Sequence, residues 1–230
     1  MAKIAIYTAI FGGYDELVDP EEVIPGVDYI CFTDADIQSN VWKVVKKEGL
    51  YEDPTRDARK YKILPHRYLP GYDYTIWVDG NFRLSGKITE LIDEYLGDVN
   101  MAVFDHMQCF DKRDCVYDEY NAIIHLGKQN GGNFKDNPFV MEMQVRRYMA
   151  RKFPKHHGLL VSGILVRRHM APDVANVGEN WWNEMKEGSR RDQLSFNYVA
   201  WDRGLKFKYI KGDIRNNKWA VHLGPHKGKK

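Results

Sequence analysis

The chain has 230 residues, long enough to bury a good-sized core, and its 43% apolar and 29% charged residues are ordinary for a soluble globular protein. A formal net charge of +2 gives no overall field that would attract nucleic acid, so we expect no nucleic-acid partner. The sequence has neither a signal-peptide core nor an apolar stretch that would span a membrane, and its three cysteines favour a reducing compartment. We therefore expect a cytoplasmic protein.

Strand-like and helix-like segments alternate along the chain, with no internal repeat or linker between them. This alternation predicts a single α/β domain over residues 1–230, with a mostly parallel central sheet flanked by helices. The predicted strands cover residues 3–9, 27–34, 41–46, 72–78, 101–106, 159–166 and 206–210. The predicted helices cover residues 53–64, 88–96, 114–128, 138–152, 174–186 and 191–201.

The strand at 72–78 is apolar, aromatic and β-branched, and it stops abruptly at Asp79-Gly80-Asn81. In open α/β sheets, ligands bind at the carboxyl ends of the strands, which is where these two oxygen-bearing side chains lie. One interpretation of the motif is a turn that closes a core strand. The other is a site for a divalent metal and a phosphate, and the motif alone does not choose between them.

Two more predicted strands have an acid at their carboxyl end, Asp34 and Asp105, which a parallel sheet would bring to the same edge as Asp79. The helix before the central strand supplies four cations, Arg56, Arg59, Lys60 and Lys62. Carboxylate oxygens suit magnesium or manganese, and cations neutralise phosphate oxygens, so together they describe a cleft for a metal-bound polyphosphate. The alternative for the basic helix is a solvated face.

Two further segments contain polar residues suited to binding. The tail His222-Leu223-Gly224-Pro225-His226-Lys227 combines a metal-ligating residue type, a turn and a lysine that would reach a phosphate. Arg190-Arg191-Asp192-Gln193 precedes an amphipathic helix. Asp192 is either an acid favoured by the helix dipole or a residue that binds sugar hydroxyls or acts as a base.

These segments together resemble a nucleotide-sugar glycosyltransferase of the GT-A type. The tail is similar to the His-x-x-Gly-Pro-x-Lys motif of family 8 glycosyltransferases, although it is one residue shorter between His and Gly. The whole chain resembles more closely the glycosyltransferase-like domain of plant mucilage and pollen-turgor proteins, which was first catalogued as a domain of unknown function. The segments that show this resemblance are residues 6–15, 59–66, 77–81 and 192–196.

The resemblance implies a GT-A nucleotide-sugar-binding fold and a role for each matching residue. It implies a Mn²⁺ or Mg²⁺ ion held by Asp79, Asn81 and His222, with Asn81 in the place of the second acid of an Asp-x-Asp motif. Asp192 is our candidate catalytic residue, and Asp105, His106 and Gln193 are the candidate acceptor contacts. The candidate donor-binding residues are Thr8, Ala9, Phe11, Gly12, Tyr14, Asp34, Arg56, Arg59, Lys60, Asp79, Gly80, Gly163, Gly224 and Lys227.

The function implied is metal-assisted transfer of a sugar from a nucleoside-diphosphate sugar, UDP-linked, to a hydroxyl of a glycan or glycoconjugate. An alternative is a catalytically degenerate module that binds a sugar nucleotide or a glycan without turnover, which the neutral Asn81 keeps open. A metal-dependent nucleotidyltransferase or nuclease would also use clustered acids, but the near-neutral charge disfavours it.

Overall fold

The computed structural model describes residues 2–226. Its strands are β1 (Ile4–Ile10), β2 (Val27–Thr33), β3 (Lys43–Lys46), β4 (Tyr74–Val78), β5 (Phe82–Leu84), β6 (Met101–Asp105), β7 (Leu160–Arg167), β8 (Lys208–Ile210) and β9 (Ala220–His222). Its helices are α1 (Pro54–Ile63), α2 (Pro65–Tyr68), α3 (Glu90–Tyr95), α4 (Val116–Gln129), α5 (Pro138–Ala150), α6 (Pro172–Glu187) and α7 (Phe196–Arg203).

The main sheet has seven strands in the order β3-β2-β1-β4-β7-β6-β8, and β5 pairs with β9 in a separate two-stranded sheet. Strands β1 to β4 are mutually parallel, β6 is parallel to β8, and β7 runs antiparallel to both of its neighbours. The predicted α/β architecture, a mostly parallel sheet flanked by helices, is confirmed. Because β7 is reversed, it begins at the edge where its neighbours β4 and β6 end.

The sheet separates two hydrophobic layers, as its alternating side chains require. Tyr7 and Trp77 point into the layer formed with α1 and α4–α7. Ile6 and Ile76, one position earlier, point into the layer formed with α3 and the β5–β9 pair. Side chains on both faces of the central strands are buried, which explains why these strands are continuously apolar in the sequence.

Helix boundaries follow the capping residues where the sequence provides them. The Asp53 carboxylate accepts a hydrogen bond from the Thr55 amide at 3.0 Å, and Pro54 occupies the first turn of α1. Asn137 and Pro138 start α5 in the same way. Each proline lies in the first turn, where a helix does not need the amide donor that proline lacks. The predicted starts of α1 and α5 are therefore confirmed.

The predicted helix 191–201 is wrong at its start. Residues Asp192–Leu194 form a 3₁₀ turn, Ser195 follows, and α7 begins at Phe196. Asp192 is 4% exposed and bonded to groups outside its own segment, so tertiary contacts rather than helix propensity set its backbone. Strands β5 and β9, each three residues long, were not predicted.

None of the helices within residues 2–226 is both long enough and apolar enough to cross a bilayer.

Candidate active site

A cavity of about 570 Å³ lies beside the end of β4 and the start of β7, within the size range of ligand pockets. Segments far apart in the sequence meet there: the turn after β4, the start of β7, residues 190–193 and the tail from β9 onward. The lining residues are Tyr14, Thr55, Arg59, Asp79, Asn81, Phe82, Lys135, Val161, Ser162, Gly163, Arg190, Arg191, Asp192, Gln193, Ile214, Arg215, His222, Pro225 and His226.

Two carboxylates and two cations form a buried charge cluster at this cavity: Arg59, Lys62, Asp79 and Asp192. The Lys62 Nζ lies 3.1 Å from Asp79 Oδ1 and 2.7 Å from Asp192 Oδ2. The Arg59 Nε lies 3.0 Å from Asp192 Oδ2, and its Nη1 lies 3.7 Å from Asp79 Oδ1. Each carboxylate therefore shares both cations, and the four formal charges balance.

The strand ends hold Asp79 in place. Its amide donates to the Gly163 carbonyl at 2.8 Å, and the Trp77 indole Nε1 donates to Asp79 Oδ1 at 2.7 Å. A Cβ at Gly163 would lie 2.9 Å from the Phe82 ring and 3.0 Å from the Ile214 side chain. Glycine at 163 is what lets the turn after β4 and the β8–β9 loop approach the start of β7 this closely.

Asp192 and Lys62 are fixed from several directions. Lys62 lies in the last turn of α1, has no exposed surface, and places its Nζ 5.5 Å from the centre of the Trp77 ring. The Ser162 hydroxyl donates to Asp192 Oδ2 at 3.0 Å, and the Gln193 amide donates to Oδ1 at 3.0 Å. Every contact fixes the carboxylate as a charged acceptor.

The electrostatics of the charge cluster follow from burial and pairing. Burial by itself would raise the pKa of Asp192, but Arg59 and Lys62 outweigh it and hold that pKa well below its usual range. Burial lowers the pKa of Lys62, and the neighbouring Arg59 lowers it further against the opposing effect of the two carboxylates. A carboxylate stabilised this strongly is a weak proton acceptor.

A second polar group lies where the β4 turn meets the tail. The Asn81 Nδ2 lies 3.2 Å from His222 Nε2 and donates to the Gly224 carbonyl at 2.9 Å, while the Leu223 amide donates to the Asn81 carbonyl at 2.9 Å. The Asn81 Oδ1 is buried and has no hydrogen-bond partner among the described residues. Burial, then Arg215 and His226, lower the pKa of His222, so its imidazole is neutral at pH 7.

The model of the family "TOD1/MUCI70, glycosyltransferase-like domain" matches residues 30–212 of this chain. The chain belongs to this family. The match includes all four members of the charge cluster, and it confirms the resemblance found in the sequence.

Two curated plant relatives and one solved structure are similar to this chain. It is 24% identical over 219 residues to "Probable hexosyltransferase MUCI70" of Arabidopsis thaliana, covering 85% of this chain and 37% of the relative. It is 21% identical over 232 residues to "Alkaline ceramidase TOD1" of the same plant, covering 85% of this chain and 48% of the relative. The chain thus spans less than half the length of each. The apo-form glycosyltransferase GlyE of Streptococcus pneumoniae TIGR4 aligns with a TM-score of 0.49 at 11% identity, over 92% of this chain and 46% of that one.

The residues predicted to bind a metal provide suitable donor atoms for one in this TOD1/MUCI70 domain. Asn81 Oδ1 is a buried amide oxygen without a partner, and His222 is a neutral imidazole close to the same amide group. Within residues 2–226, the contacts of the Asp79 carboxylate all fall on Oδ1, which leaves Oδ2 for a ligand. One carboxylate, one amide oxygen and one imidazole fit Mn²⁺ or Mg²⁺ by atom type.

Predicted donor-binding residues lie on the β1 side of the cavity. Ala9, Phe11 and Gly80 line a pocket of about 20 Å³ that shares Tyr14, Arg59, Asp79 and His226 with the main cavity. The Gly12 amide donates to both oxygens of Asp34, at 3.0 and 3.1 Å, so Asp34 fixes the loop after β1. Thr8 is buried, and its hydroxyl has no partner among the described residues.

The three strand-end acids do not converge. Asp79 lines the main cavity, but Asp34 bonds the Gly12 amide, and Asp105 accepts from the Met107 amide at 3.0 Å to cap a 3₁₀ turn. Strand β1 separates the ends of β2 and β4, and β7 separates those of β4 and β6, with neighbouring strands about 4.8 Å apart. The second acid at the site is instead Asp192.

Several other predicted residues do not line the main cavity. Arg56 donates to the carbonyls of Met185 and Gly188, which places it against the end of α6. Lys60 lies on another side of α1 from Arg59, and His106 is buried with its Nε2 3.2 Å from the Arg113 guanidinium. Gly224 contributes its carbonyl to Asn81 rather than a surface to the cavity. Lys227 lies outside the described residues.

Eight of the residues proposed from the sequence line the cavity, and other lining residues were not proposed: the eight are Tyr14, Arg59, Asp79, Asn81, Gly163, Asp192, Gln193 and His222. Lys62 was noticed as part of a basic helix but not assigned to the site. Its spacing of three from Arg59 places both on one helix face, which is a usable signal. Lys135 and Arg215 lie in loops without any periodic pattern, so nothing in the sequence connects them to the cavity.

Proposed function

We propose that this protein transfers a hexosyl group from a nucleoside-diphosphate sugar, UDP-linked by resemblance, to a hydroxyl group of a glycan or glycoconjugate. Membership of the glycosyltransferase-like family supports this proposal. The observation that favours it most is the buried charge cluster, in which Asp79 and Asp192 share Lys62 and Arg59 at a cavity of suitable size. Charged groups fixed in a partly buried site can bind a sugar and stabilise charge that develops on a leaving group.

The proposed donor lies across the strand ends. Its nucleoside would contact the loop after β1, held by the Asp34–Gly12 bonds, and its diphosphate would lie near Asn81 and His222. The sugar would then lie beside Ser162, Gly163 and Asp192 at the start of β7. The pocket on the β1 side measures only about 20 Å³, so the loop or the tail must move to admit a nucleoside.

We propose Asp79, Asn81 and His222 as the ligands of a Mn²⁺ or Mg²⁺ ion. When bound, such an ion would neutralise the diphosphate as it leaves the sugar. Asp79 also pairs with Lys62 and Arg59, so it would link the charge cluster to the diphosphate region. The protein's own Arg59, which lines the same cavity, would add to the same neutralisation.

For Asp192 we propose a role in binding sugar hydroxyls. Its carboxylate is 4% exposed and already contacts Lys62, Arg59 and Ser162 through Oδ2. Those cations lower its pKa, and general bases work best with a pKa near the working pH. A hydroxyl group of the sugar can donate a hydrogen bond to this carboxylate without transferring its proton.

The decisive experiment compares Asp79→Asn with the wild type, using UDP-glucose and UDP-galactose and measuring UDP release and sugar transfer. We expect Asp79→Asn to lose at least about a hundredfold in turnover, because removal of one group that stabilises transition-state charge costs roughly 10²–10³. Asparagine keeps the size of Asp79 and an oxygen that can accept from Trp77. Circular dichroism and urea unfolding would establish that the variant is folded, since breaking a buried ion pair costs about 3–5 kcal/mol.

Asp98→Asn is the matched control, because Asp98 is an exposed acid before β6, at the opposite edge of the sheet, and pairs with Lys208. Wild-type turnover by folded Asp79→Asn would refute the proposal. Binding of donor by the wild type without any product would instead support the alternative, a degenerate binding module. A short-chain ceramide belongs in the same assay, because one relative is named as a ceramidase.

A further inference from the structure

Three cations on separate chain segments meet at the rim of the main cavity: Lys135, Arg191 and Arg215, here called the cation cluster. Lys135 lies in the α4–α5 loop, Arg191 directly precedes the 3₁₀ turn at Asp192, and Arg215 lies in the β8–β9 loop. The positive charge of Arg191 lowers the pKa of Lys135, and burial and Arg215 lower it further. The three positive charges of the cation cluster therefore lie close together. The charge cluster at the same cavity does not offset them, because its own four charges already balance.

Acidic partners do not compensate these cations. Glu119 is shared by Arg113, at 2.7 Å, and Arg191, at 3.3 Å. Asp111 is shared by Arg113, at 2.7 Å, and Arg215, at 3.9 Å. Lys135 has no carboxylate within ion-pair distance in the described part of the chain. Counted by ion pairs, three of these four cations share two carboxylates, and Lys135 is left without a carboxylate partner among the described residues.

Arg191 also has an unused hydrogen-bond donor. Its Nε is buried and has no partner among residues 2–226, and its Nη2 makes only long contacts of 3.3 Å to Glu119 and Gln193. Buried polar groups in proteins are nearly always paired, so the Arg191 guanidinium beside this cavity retains hydrogen-bonding capacity for a bound ligand or water. Guanidinium groups bind carboxylates and phosphates through two parallel hydrogen bonds.

The sheet order places the cation cluster on the far side of the proposed sugar from the nucleoside. Along the strand ends, the loop after β1 comes first, then Asp79 directly after β4, then Ser162 of β7, and finally β6 with the α4 that follows it. Arg191 is connected to α4 through Glu119, which lies on that helix, and Lys135 lies in the loop that follows α4. A donor whose nucleoside lies at the loop after β1 and whose sugar lies at the start of β7 does not extend to Lys135 and Arg191. These two cations are therefore available to the acceptor.

We propose that the cation cluster is an anion subsite that binds a carboxylate or phosphate group carried by the acceptor glycan. This inference rests on the proposed function, since it places the acceptor relative to a nucleotide-sugar donor. Arg191 is the anchor because it is half-buried, and Lys135 and Arg215 contribute from the exposed rim. An acidic sugar unit seated there would present a neighbouring hydroxyl toward Asp192.

The test measures saccharide affinity by calorimetry with saturating UDP present, so that the diphosphate region is already occupied. The probes are neutral maltotetraose, the carboxylated hyaluronan tetrasaccharide and glucose 6-phosphate. We expect an acidic probe to bind wild type at least roughly tenfold more tightly than maltotetraose, because one charge-assisted hydrogen bond corresponds to about that factor. The carboxylated and phosphorylated probes then show which anion the subsite prefers.

Variants connect that preference to the cation cluster. Arg191→Gln should lose roughly tenfold in affinity for the acidic probe, and Lys135→Gln roughly two- to fivefold, since exposed ion pairs contribute less. Arg191→Lys keeps the positive charge, so it should retain part of the preference for acidic over neutral probes. It replaces Arg191→Gln in the test if that variant does not fold. Lys128→Gln, an exposed lysine at the end of α4, is the matched control and should change nothing. UDP affinity should stay within twofold throughout.

Three results would overturn the proposal. The first is that wild type shows no preference for an acidic probe, and the second is that Arg191→Gln loses as much affinity for UDP as for the acidic probe. The third is that Arg191→Gln abolishes a preference for UDP-glucuronic acid over UDP-glucose but leaves the affinity for the acidic probe unchanged. The second would assign the cation cluster to the donor diphosphate, and the third to the donor sugar. If UDP does not bind but the acidic probe binds through Arg191, the proposed donor fails while the anion subsite stands.

Discussion

Asp192 shows how neighbouring charges select the role of a single residue. Its position at the cavity would suit a general base, but Lys62 at 2.7 Å and Arg59 at 3.0 Å stabilise its ionised form. The resulting low pKa makes proton abstraction from a sugar hydroxyl unfavourable. The same charge makes the carboxylate a strong hydrogen-bond acceptor, which is the property that sugar binding requires.

The substitution Asp192→Asn should therefore raise KM, with kcat reduced by less than about tenfold, whereas removal of a positioned base typically costs ~10²–10⁴ in rate. Steady-state kinetics with varied donor and varied acceptor would separate the two parameters. Ser162→Ala is the matched variant, because it removes one hydrogen bond to Asp192 and should shift KM in the same direction by less. A hundredfold loss in kcat at unchanged KM would instead make Asp192 the base.

At the scale of elements, hydrophobic patterns predicted most strands and helices, but they did not predict strand direction. The segment 159–166 is apolar apart from Ser162 and Gly163, and nothing in it distinguishes a parallel strand from the antiparallel β7. That direction decides the site, because it brings Ser162 and Gly163 to the end of β4 rather than to the opposite edge. Convergence of Asp34, Asp79 and Asp105 was expected from parallel ends alone, and intervening strands prevent it.

The tail follows the last predicted strand, 206–210, but in the structure it begins with an unpredicted strand, β9, which pairs with β5 beside Asn81. Beyond β9, His226 Nδ1 lies 2.7 Å from Asp15 Oδ2, and its ring lies 5.2 Å from that of Tyr14. Residues 223–226 thus connect the predicted metal ligand Asn81 to the loop after β1. This arrangement makes the tail a part of the proposed donor site.

Removal of residues 223–230 should weaken UDP binding by about tenfold or more, because contacts to a charged ligand contribute about 1.5–3 kcal/mol each. The free energy of unfolding should change little, since β9 is retained and residues 223–226 are partly or fully exposed. Calorimetry and urea unfolding measure the two quantities. A shorter truncation, removing 227–230, isolates the predicted diphosphate contact Lys227. Unchanged UDP affinity in the longer truncation would contradict this role for the tail.

Over the whole molecule, a nearly neutral composition conceals an uneven distribution of charge. The formal charge of +2 gave no indication of a binding surface, yet Arg59, Lys135, Arg190, Arg191 and Arg215 all line one cavity. They come from α1 and three separate loops, and only the folded sheet brings those segments together. The segment 190–193 was recognisable in the sequence as suited to binding, whereas nothing in the sequence connected Lys135 and Arg215 to the same cavity.

Both hydrophobic layers pack on the same sheet, so we expect residues 1–230 to unfold in a single transition that any ligand of the folded state shifts upward. A nucleotide present at a hundred times its Kd adds about 2.7 kcal/mol to stability, which for a chain of this size corresponds to a rise in Tm of about 5–10 °C. Thermal unfolding with UDP, GDP, CDP and ADP, each with MnCl₂, MgCl₂ or EDTA, would measure it.

We expect the largest rise in Tm with UDP and MnCl₂, because the diphosphate and the ion would bind together at Asp79, Asn81 and His222. His222→Ala, which removes the proposed imidazole ligand, should lose the metal-dependent part of the rise and keep a metal-independent part from the cations at the cavity. Equal stabilisation by UDP in MnCl₂ and in EDTA would reject the proposed metal site but not the proposed nucleotide-sugar donor. A Tm unmoved by all four nucleotides would reject the nucleotide-sugar donor itself, and two separate transitions would show that the two layers do not unfold as one domain.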